Sequence, residues 1–139
     1  MDGINWGRVV GGGLLAGLII NIGEFILNVP LIGAEFDEVV TSMNREPPGD
    51  SAIMIFVLMG FTLGILAVWL YAAIRPRLGA GAKTAACAGS TVWALAYLYP
   101  NLSFMAMDFF PTKLLLIVIV WSFFEVTLAT VAGAWLYKE

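Results

Sequence analysis

Four long apolar stretches constrain the fold of this chain more than any other feature. They cover residues 9–32, 52–74, 82–99 and 114–137. A transmembrane helix needs about 20 mostly apolar residues to cross about 30 Å of hydrocarbon. The run LLLIVIV at 114–120 shows none of the polar alternation of a barrel strand. The sequence therefore predicts an all-α, four-helix transmembrane bundle, running up-down-up-down, in a single membrane domain over residues 1–139.

Composition narrows the classes of function. Of the 139 residues 60% are hydrophobic and 12% are charged, about half the charged share of soluble domains. The chain has no histidine and one cysteine, which excludes histidine-ligated haem, the usual His/Cys zinc sites, Ser–His catalysis and an internal disulfide. A net charge of −3 without a basic patch argues against nucleic-acid binding. With no recognisable nucleophile–base pair, we predict neither an enzyme nor a bound cofactor or metal.

The positions of the cations predict the orientation, because lysine and arginine concentrate on the cytoplasmic side. One side of the predicted bundle holds both termini and the second loop, with these cations: Arg8, Arg75, Arg77, Lys83 and Lys138. The other side has only Arg45 and Lys113, together with most of the acidic residues. We therefore expect a multi-pass protein of the bacterial inner membrane with both termini in the cytoplasm.

The connection 33–51 is the only long one, and it contains a helical pattern. Phe36, Val39, Val40 and Met43 recur at intervals i, i+3, i+4 and i+7, which predicts a short amphipathic external helix. This helix either covers the outer end of the bundle or docks an external partner.

Two carboxyl groups lie inside predicted spans, where an ionisable group costs about 2.5–3.5 kcal/mol and marks a functional-site hypothesis. They are Glu24 in the first span and Glu125 in the fourth. Helical spacing places Glu24 on one face with four other residues: Gly13, Gly17, Asn21 and Asn28. Likewise, Ser122, Glu125 and Ala129 share a face of the fourth span.

Counted at about 1.5 Å per residue, Asn21 and Glu125 lie at nearly the same depth, with Glu24 slightly further out. If the first and fourth spans are neighbours, we expect the two carboxyls and Asn21 to meet, with at least one carboxyl protonated at neutral pH unless a cation lies between them. Three hypotheses follow. The polar residues form a proton- or cation-coupled transport site, or a pocket for a ligand or lipid head group, or purely structural hydrogen bonds between helices. The candidate site residues are Glu24, Glu125, Asn21, Asn28 and Ser122.

Small residues at four-residue intervals predict close helix packing. These are Gly13, Gly17, Gly60, Gly64, Gly89, Ala129 and Gly133. Besides membrane lipid, the expected partners are a second copy of the chain or a larger membrane complex. An accessory or assembly subunit without catalytic activity is therefore the alternative function.

The segments 67–77 (AVWLYAAIRPR) and 132–137 (AGAWLY) give the chain a further resemblance. It resembles small uncharacterised bacterial integral membrane proteins with four spans, which implies the same fold and no particular activity. In span count and first-span glutamate alone it is also similar to the small multidrug resistance transporters. The long acidic first loop and Glu125 depart from that family, so no functional residue is carried over from it.

Overall fold

The computed structural model describes residues 3–137, and regular secondary structure there is entirely helical. In this range there are six α-helices and two short π-helical turns, which we call the first and the second π-turn. The elements are α1 (Trp6–Ile26), the first π-turn (Leu27–Leu31), α2 (Gly33–Ser42), α3 (Asp50–Leu78), α4 (Ala82–Trp93), the second π-turn (Ala94–Leu98), α5 (Tyr99–Ala106) and α6 (Thr112–Leu136).

Three helical segments within residues 3–137 are long and apolar enough to cross a membrane. They are Trp6–Leu31, Asp50–Leu78 and Thr112–Leu136, and they match the first, second and fourth predicted spans. The third predicted span, 82–99, is helical and continues to residue 106, but it is less apolar and is not among the three. The four-span bundle is therefore not confirmed. Lys138, one of the cations used to predict the orientation, lies outside the described residues.

Packing joins the four long helical segments side by side. α3 and α6 each contact both α1 and α4, and α1 packs against α3 more extensively than against α6. The first and last helices are thus neighbours, which is the adjacency needed for Glu24 and Glu125 to meet. The shared core contains Val9, Ala16, Ile20, Val68, Tyr71, Ala72, Ala85, Ala88 and Ala129. Because most of these side chains are small, the helix backbones approach one another closely.

Glycines set the distance between α1 and α3. A Cβ atom added at Gly13 would lie 2.5 Å from Ile65 Cα, and one added at Gly17 would lie 2.7 Å from Phe61 Cα. On the facing helix, a Cβ at Gly64 would lie 2.5 Å from the Gly13 carbonyl oxygen, and one at Gly60 would lie 2.7 Å from Asn21 Oδ1. Real side chains do not tolerate such distances, so Gly13, Gly17 and Gly64 form a close backbone contact, and Gly60 leaves room for the Asn21 side chain.

The other predicted small residues pack at α6. A Cβ at Gly89 would lie 2.9 Å from Thr130 Oγ1, and Ala129 is fully buried in the core. Gly133 faces α1, where a Cβ would lie 2.5 Å from the carbonyl oxygen of Gly12. Within residues 3–137, every small residue singled out in the sequence is therefore used between helices of one chain.

The predicted short helix in the first connection is present as α2. Its Phe36 packs onto buried Leu27, Ile32 and Leu114, and its ring stacks on Phe110 with centroids 5.8 Å apart. α2 thus lies against the end of the bundle formed by the first π-turn and the start of α6. The structure contains no partner chain, so docking of an external partner stays a prediction.

Two tyrosines join the helices at the opposite end of the bundle, where the described part of the chain begins and ends. The hydroxyl of Tyr137 accepts a hydrogen bond from the Asn5 N–H at 3.1 Å, and that of Tyr71 accepts one from the Gly81 N–H at 3.2 Å. The two rings meet edge to face at 6.1 Å, and the Arg75 guanidinium lies 5.6 Å from the centre of the Tyr137 ring. These contacts connect both ends of the described chain to the turn between α3 and α4.

The glycine contact between α1 and α3 predicts the outcome of adding one methyl group. We expect Gly64→Ala to destabilise the fold by about 1–3 kcal/mol, because the new Cβ overpacks a contact with no free space. Gly11→Ala is the matched control, since nothing lies within 4 Å of that position. It should be neutral or stabilising by about 0.5–1 kcal/mol, through helix propensity alone. Unfolding in mixed detergent micelles measures both changes, and equal stabilities would contradict the packing described here.

Candidate functional site

Glu24 is the centre of a hydrogen-bonded cluster between helices. It lies in the last two turns of α1, and both of its carboxylate oxygens are occupied. Oε1 accepts a hydrogen bond from the Tyr97 hydroxyl at 2.8 Å, and Oε2 accepts one from the Asn28 side-chain amide at 2.8 Å. Tyr97 is 73 residues away in sequence, so this carboxylate joins two distant segments of the chain.

Both donors to Glu24 come from the π-turns. In the first π-turn the Ile32 N–H bonds to the Leu27 carbonyl at 3.0 Å, and in the second the Tyr99 N–H bonds to the Ala94 carbonyl. Each bond spans five residues instead of four. Pro30 lies inside the first turn and Pro100 is the second residue of α5, just after the second turn, and a proline has no N–H for the usual four-residue bond. Wide turns of this kind are frequent at functional sites.

Glu125 approaches the same region from α6. Its carboxyl packs against Gly23, where an added Cβ would lie 2.8 Å from Glu125 Cδ. The residue is 8% exposed, and neither carboxyl oxygen has a hydrogen-bond partner among the described residues. Gly23 is the chain neighbour of Glu24, so the Glu125 carboxyl reaches α1 at the level of that residue. The absence of a side chain at position 23 is what allows the α6 carboxyl to come this close to α1.

Trp121 fixes the two helices at this level. Its indole N–H donates to the Gly23 carbonyl at 3.2 Å, one turn of α6 before Glu125. The same carbonyl also accepts a regular helical hydrogen bond from the Leu27 N–H at the end of α1. The α1–α6 contact at the site therefore combines a glycine, a carboxyl and an indole.

The other two predicted site residues bond elsewhere. The Asn21 amide donates to the carbonyl oxygens of Gly17 at 3.0 Å and Val57 at 3.2 Å, so it connects α1 to α3. The Ser122 hydroxyl accepts from the Trp93 indole at 3.1 Å and donates to the Ile119 carbonyl at 3.1 Å, so it lies between α4 and α6. Neither forms a hydrogen bond with Glu24 or Glu125.

The two carboxyl groups line different spaces. Glu24 lines a cavity of about 640 Å³, which we call the outer cavity, together with Asn21, Asn28, Asp37 and Tyr97. Segments from α2 and from Pro47–Pro48 also line it, so the first connection lies over it. Glu125 instead lines an open groove of about 1010 Å³ between α1 and α6. α1 separates the two spaces, and Gly23 and Glu24 lie next to each other at that boundary.

Three residues of this site were not predicted from the sequence. Tyr97 lies in a predicted span that contains no carboxyl group. Trp121 resembled an ordinary apolar residue, and Gly23 is not part of the four-residue spacing of small residues. Pro30 and Pro100 were the available signals, because a proline within a predicted span or just after it marks a turn that differs from regular α-helix.

The chemistry of the cluster is that of oxygen acceptors and exchangeable protons. Within residues 3–137 no three His, Cys, Asp or Glu side chains are placed to hold a metal ion. Two carboxyls, one phenol and one amide can instead exchange a proton or hold a cation of low charge. A carboxylate in an apolar setting is stabilised by hydrogen-bond donors, a proton or a cation.

The Tyr97–Glu24 contact predicts a specific loss of stability. Tyr97→Phe removes the donor to Oε1 and leaves a carboxylate oxygen unsatisfied among helices, which should cost about 1–3 kcal/mol. Tyr99→Phe is the matched control, because that side chain is 65% exposed and two residues away. Unfolding in mixed micelles at constant pH measures both variants. Equal losses for the two would show that Tyr97 does not bond to Glu24.

Comparison with protein-family models, with curated proteins and with solved structures finds no match for this chain. The function proposed below therefore rests on side-chain geometry and chemistry.

Proposed function

We propose that this chain is a small four-span membrane protein that binds a small organic cation in the outer cavity and exchanges it with a proton. One observation carries the proposal. The carboxylate of Glu24 lies between apolar helices and lines a cavity of about 640 Å³ with no lysine or arginine among its described lining residues. Ligand cavities usually measure about 300–1,000 Å³ and place a few polar groups on an apolar wall.

The wall of the outer cavity suits a cation with apolar substituents. Asp37 adds a second carboxylate from α2, and Asn21 and Asn28 supply amide groups. Four aromatic side chains also line the space: Phe25, Phe36, Phe56 and Tyr97. Aromatic faces attract ammonium groups by about 0.5–2 kcal/mol. An amine or quaternary ammonium carrying an aromatic or aliphatic group satisfies both kinds of surface.

The proximity of Glu125 supports coupling to a proton. Glu125 packs against Gly23, the chain neighbour of Glu24, and no lysine or arginine lines either space at that depth. Two neighbouring carboxyls of this kind share a proton when no cation is bound, as other close carboxyl pairs do. A cation that binds beside Glu24 supplies the compensating charge, so the shared proton is released on binding and taken up on dissociation.

The depth of Glu24 supports a fourth span. Glu24 follows Arg8 by 16 residues, or about 24 Å along α1, and lies inside a candidate span. Tyr97 bonds to it directly, which supports placing the segment 82–106 in the same apolar layer. α4 packs on both α3 and α6, which fits a helix inside the bundle better than one on the membrane surface.

A second candidate is an accessory or assembly subunit, in which Glu24 serves only to join helices. It is favoured by the fact that both oxygens of Glu24 already accept hydrogen bonds within the chain. The apolar side chains of residues 53–59 are also largely exposed, which leaves this part of α3 to lipid or to a partner helix.

Titration with benzyltrimethylammonium separates the two candidates. In lipid nanodiscs at pH 8 we expect saturable binding that weakens roughly tenfold or more in Glu24→Gln, since a charged interaction of about 1.5–3 kcal/mol is lost. Affinity should fall as the pH is lowered, because protons compete for the same carboxyl pair.

Two controls sharpen this titration. Asp50→Asn removes the same charge from an exposed position at the start of α3, outside the lining of the outer cavity, and should leave affinity nearly unchanged. The neutral isostere 2,2-dimethylpropylbenzene (neopentylbenzene) should bind weakly to every variant. Equal binding of the cation by wild type and Glu24→Gln would contradict the proposal and favour the accessory-subunit function.

A further inference from the structure

The groove between α1 and α6 is a second surface, distinct from the outer cavity. Its walls are apolar and come from both helices: Ile19, Ile22 and Ile26 on α1, and Leu116, Val120 and Phe124 on α6. The groove is open along its side and has a volume of about 1010 Å³. Since α1 and α6 are both candidate spans, this opening faces the hydrocarbon of the bilayer.

The groove has one cationic end. Lys113 lines it in the first turn of α6, and Leu128 marks the other end. These residues are 15 positions apart, or about 22 Å along the helix, which exceeds the half-thickness of about 15 Å of a bilayer core. The groove is therefore long enough to hold one acyl chain of a bilayer lipid over the full length of that chain.

Lys113 lacks a compensating charge. It forms no ion pair with any described residue, although a cation in the first turn of a helix is unfavourable next to the positive end of the helix dipole. The residue before the helix is Pro111, and no side chain caps the first N–H groups of α6. A phosphate bound here would compensate the lysine charge and accept hydrogen bonds from the free N–H groups.

We propose that the α1–α6 groove binds one glycerophospholipid, with its phosphate at Lys113 and the start of α6 and one acyl chain along the apolar walls. The anionic phosphate matches the charge of Lys113 at one end of the groove, and the acyl chain matches the apolar walls. Trp121 and Glu125 lie in the groove below the lysine, so the bound chain covers the lipid side of the Glu24–Glu125 pair. This site is independent of cation binding in the outer cavity, because Lys113 does not line that cavity.

Trp121 provides a reporter for the test. The protein is reconstituted into phosphatidylcholine containing increasing fractions of phosphatidylglycerol brominated on its acyl chains, and quenching by bromine is recorded. Subtracting the signal of Trp121→Phe isolates the contribution of Trp121. We expect saturation at a low fraction of brominated phospholipid. Lys113→Ala should require about fivefold more, the effect of one interfacial cation on an anionic lipid.

Lys83→Ala is the matched control, because Lys83 lies in the first turn of another helix and outside the groove. It should leave the titration unchanged. Brominated diacylglycerol, which has the chains without the phosphate, should quench Trp121 only in proportion to its bulk fraction. Quenching that is equal in wild type and Lys113→Ala, or equal for diacylglycerol and phospholipid, would overturn the proposal.

Native mass spectrometry gives a second measurement that needs no tryptophan substitution. Released from phosphatidylglycerol nanodiscs, the wild type and Lys83→Ala should each retain one phospholipid that Lys113→Ala loses. Identical retention by all three proteins would likewise overturn the proposal. In both experiments Lys113→Ala should keep the wild-type affinity for benzyltrimethylammonium, so failure of the lipid site is distinguishable from failure of the outer cavity.

Discussion

A carboxyl group placed among apolar helices raises the free energy of the folded protein unless donors or compensating charge reach it. In this chain the donors to Glu24 are the Tyr97 hydroxyl and the Asn28 amide, each at 2.8 Å. Neither donor belongs to a regular helical turn, because both lie in π-turns next to prolines. The departures from regular helix and the half-buried carboxylate of Glu24 thus depend on each other. The hydrogen bonds to Glu24 offset the free-energy cost of the π-turns, and the π-turns carry the residues that donate those hydrogen bonds.

Close backbone approach makes this arrangement possible. Glycines bring α1 against α3 on one side. On the other side, Gly23 of α1 leaves room for the Glu125 carboxyl of α6. Without these contacts the two carboxyls would lie in separate parts of the bundle, and neither would influence the other. The first part of α1 therefore packs closely against other helices, and its last part carries the polar residues of the site. Asn21 lies between the two parts and bonds to the α3 backbone.

The sequence was sufficient for the features that repeat along the chain. Hydropathy predicted three spans that the structure confirms as long apolar helices, and four-residue intervals predicted the glycine contacts. It also pointed to Glu24 and Glu125, because an ionisable residue within an apolar span is conspicuous in itself. Helical spacing placed Asn28 on the face of Glu24, but Tyr97 was harder to predict, since it reaches Glu24 from a distant segment through the second π-turn.

The remaining differences have similar physical reasons. Asn21 and Ser122 share helical faces with the carboxyls, but amides and hydroxyls readily bond to a nearby backbone carbonyl instead. The segment 82–106 is helical yet polar enough to fall outside the candidate spans. Its place in the bundle depends on contacts with α3 and α6, which one-dimensional hydropathy does not contain.

A carbon–carbon correlation between Tyr97 and Glu24 tests the central claim most directly. Solid-state NMR of protein in lipid, labelled with ¹³C at the tyrosine Cζ and glutamate Cδ atoms, should show a tyrosine–glutamate cross-peak. We predict that the peak disappears in Tyr97→Phe, is lost or shifted in Glu24→Gln, and persists in Tyr99→Phe. A spectrum without this cross-peak, or with one that survives Tyr97→Phe, would contradict the account.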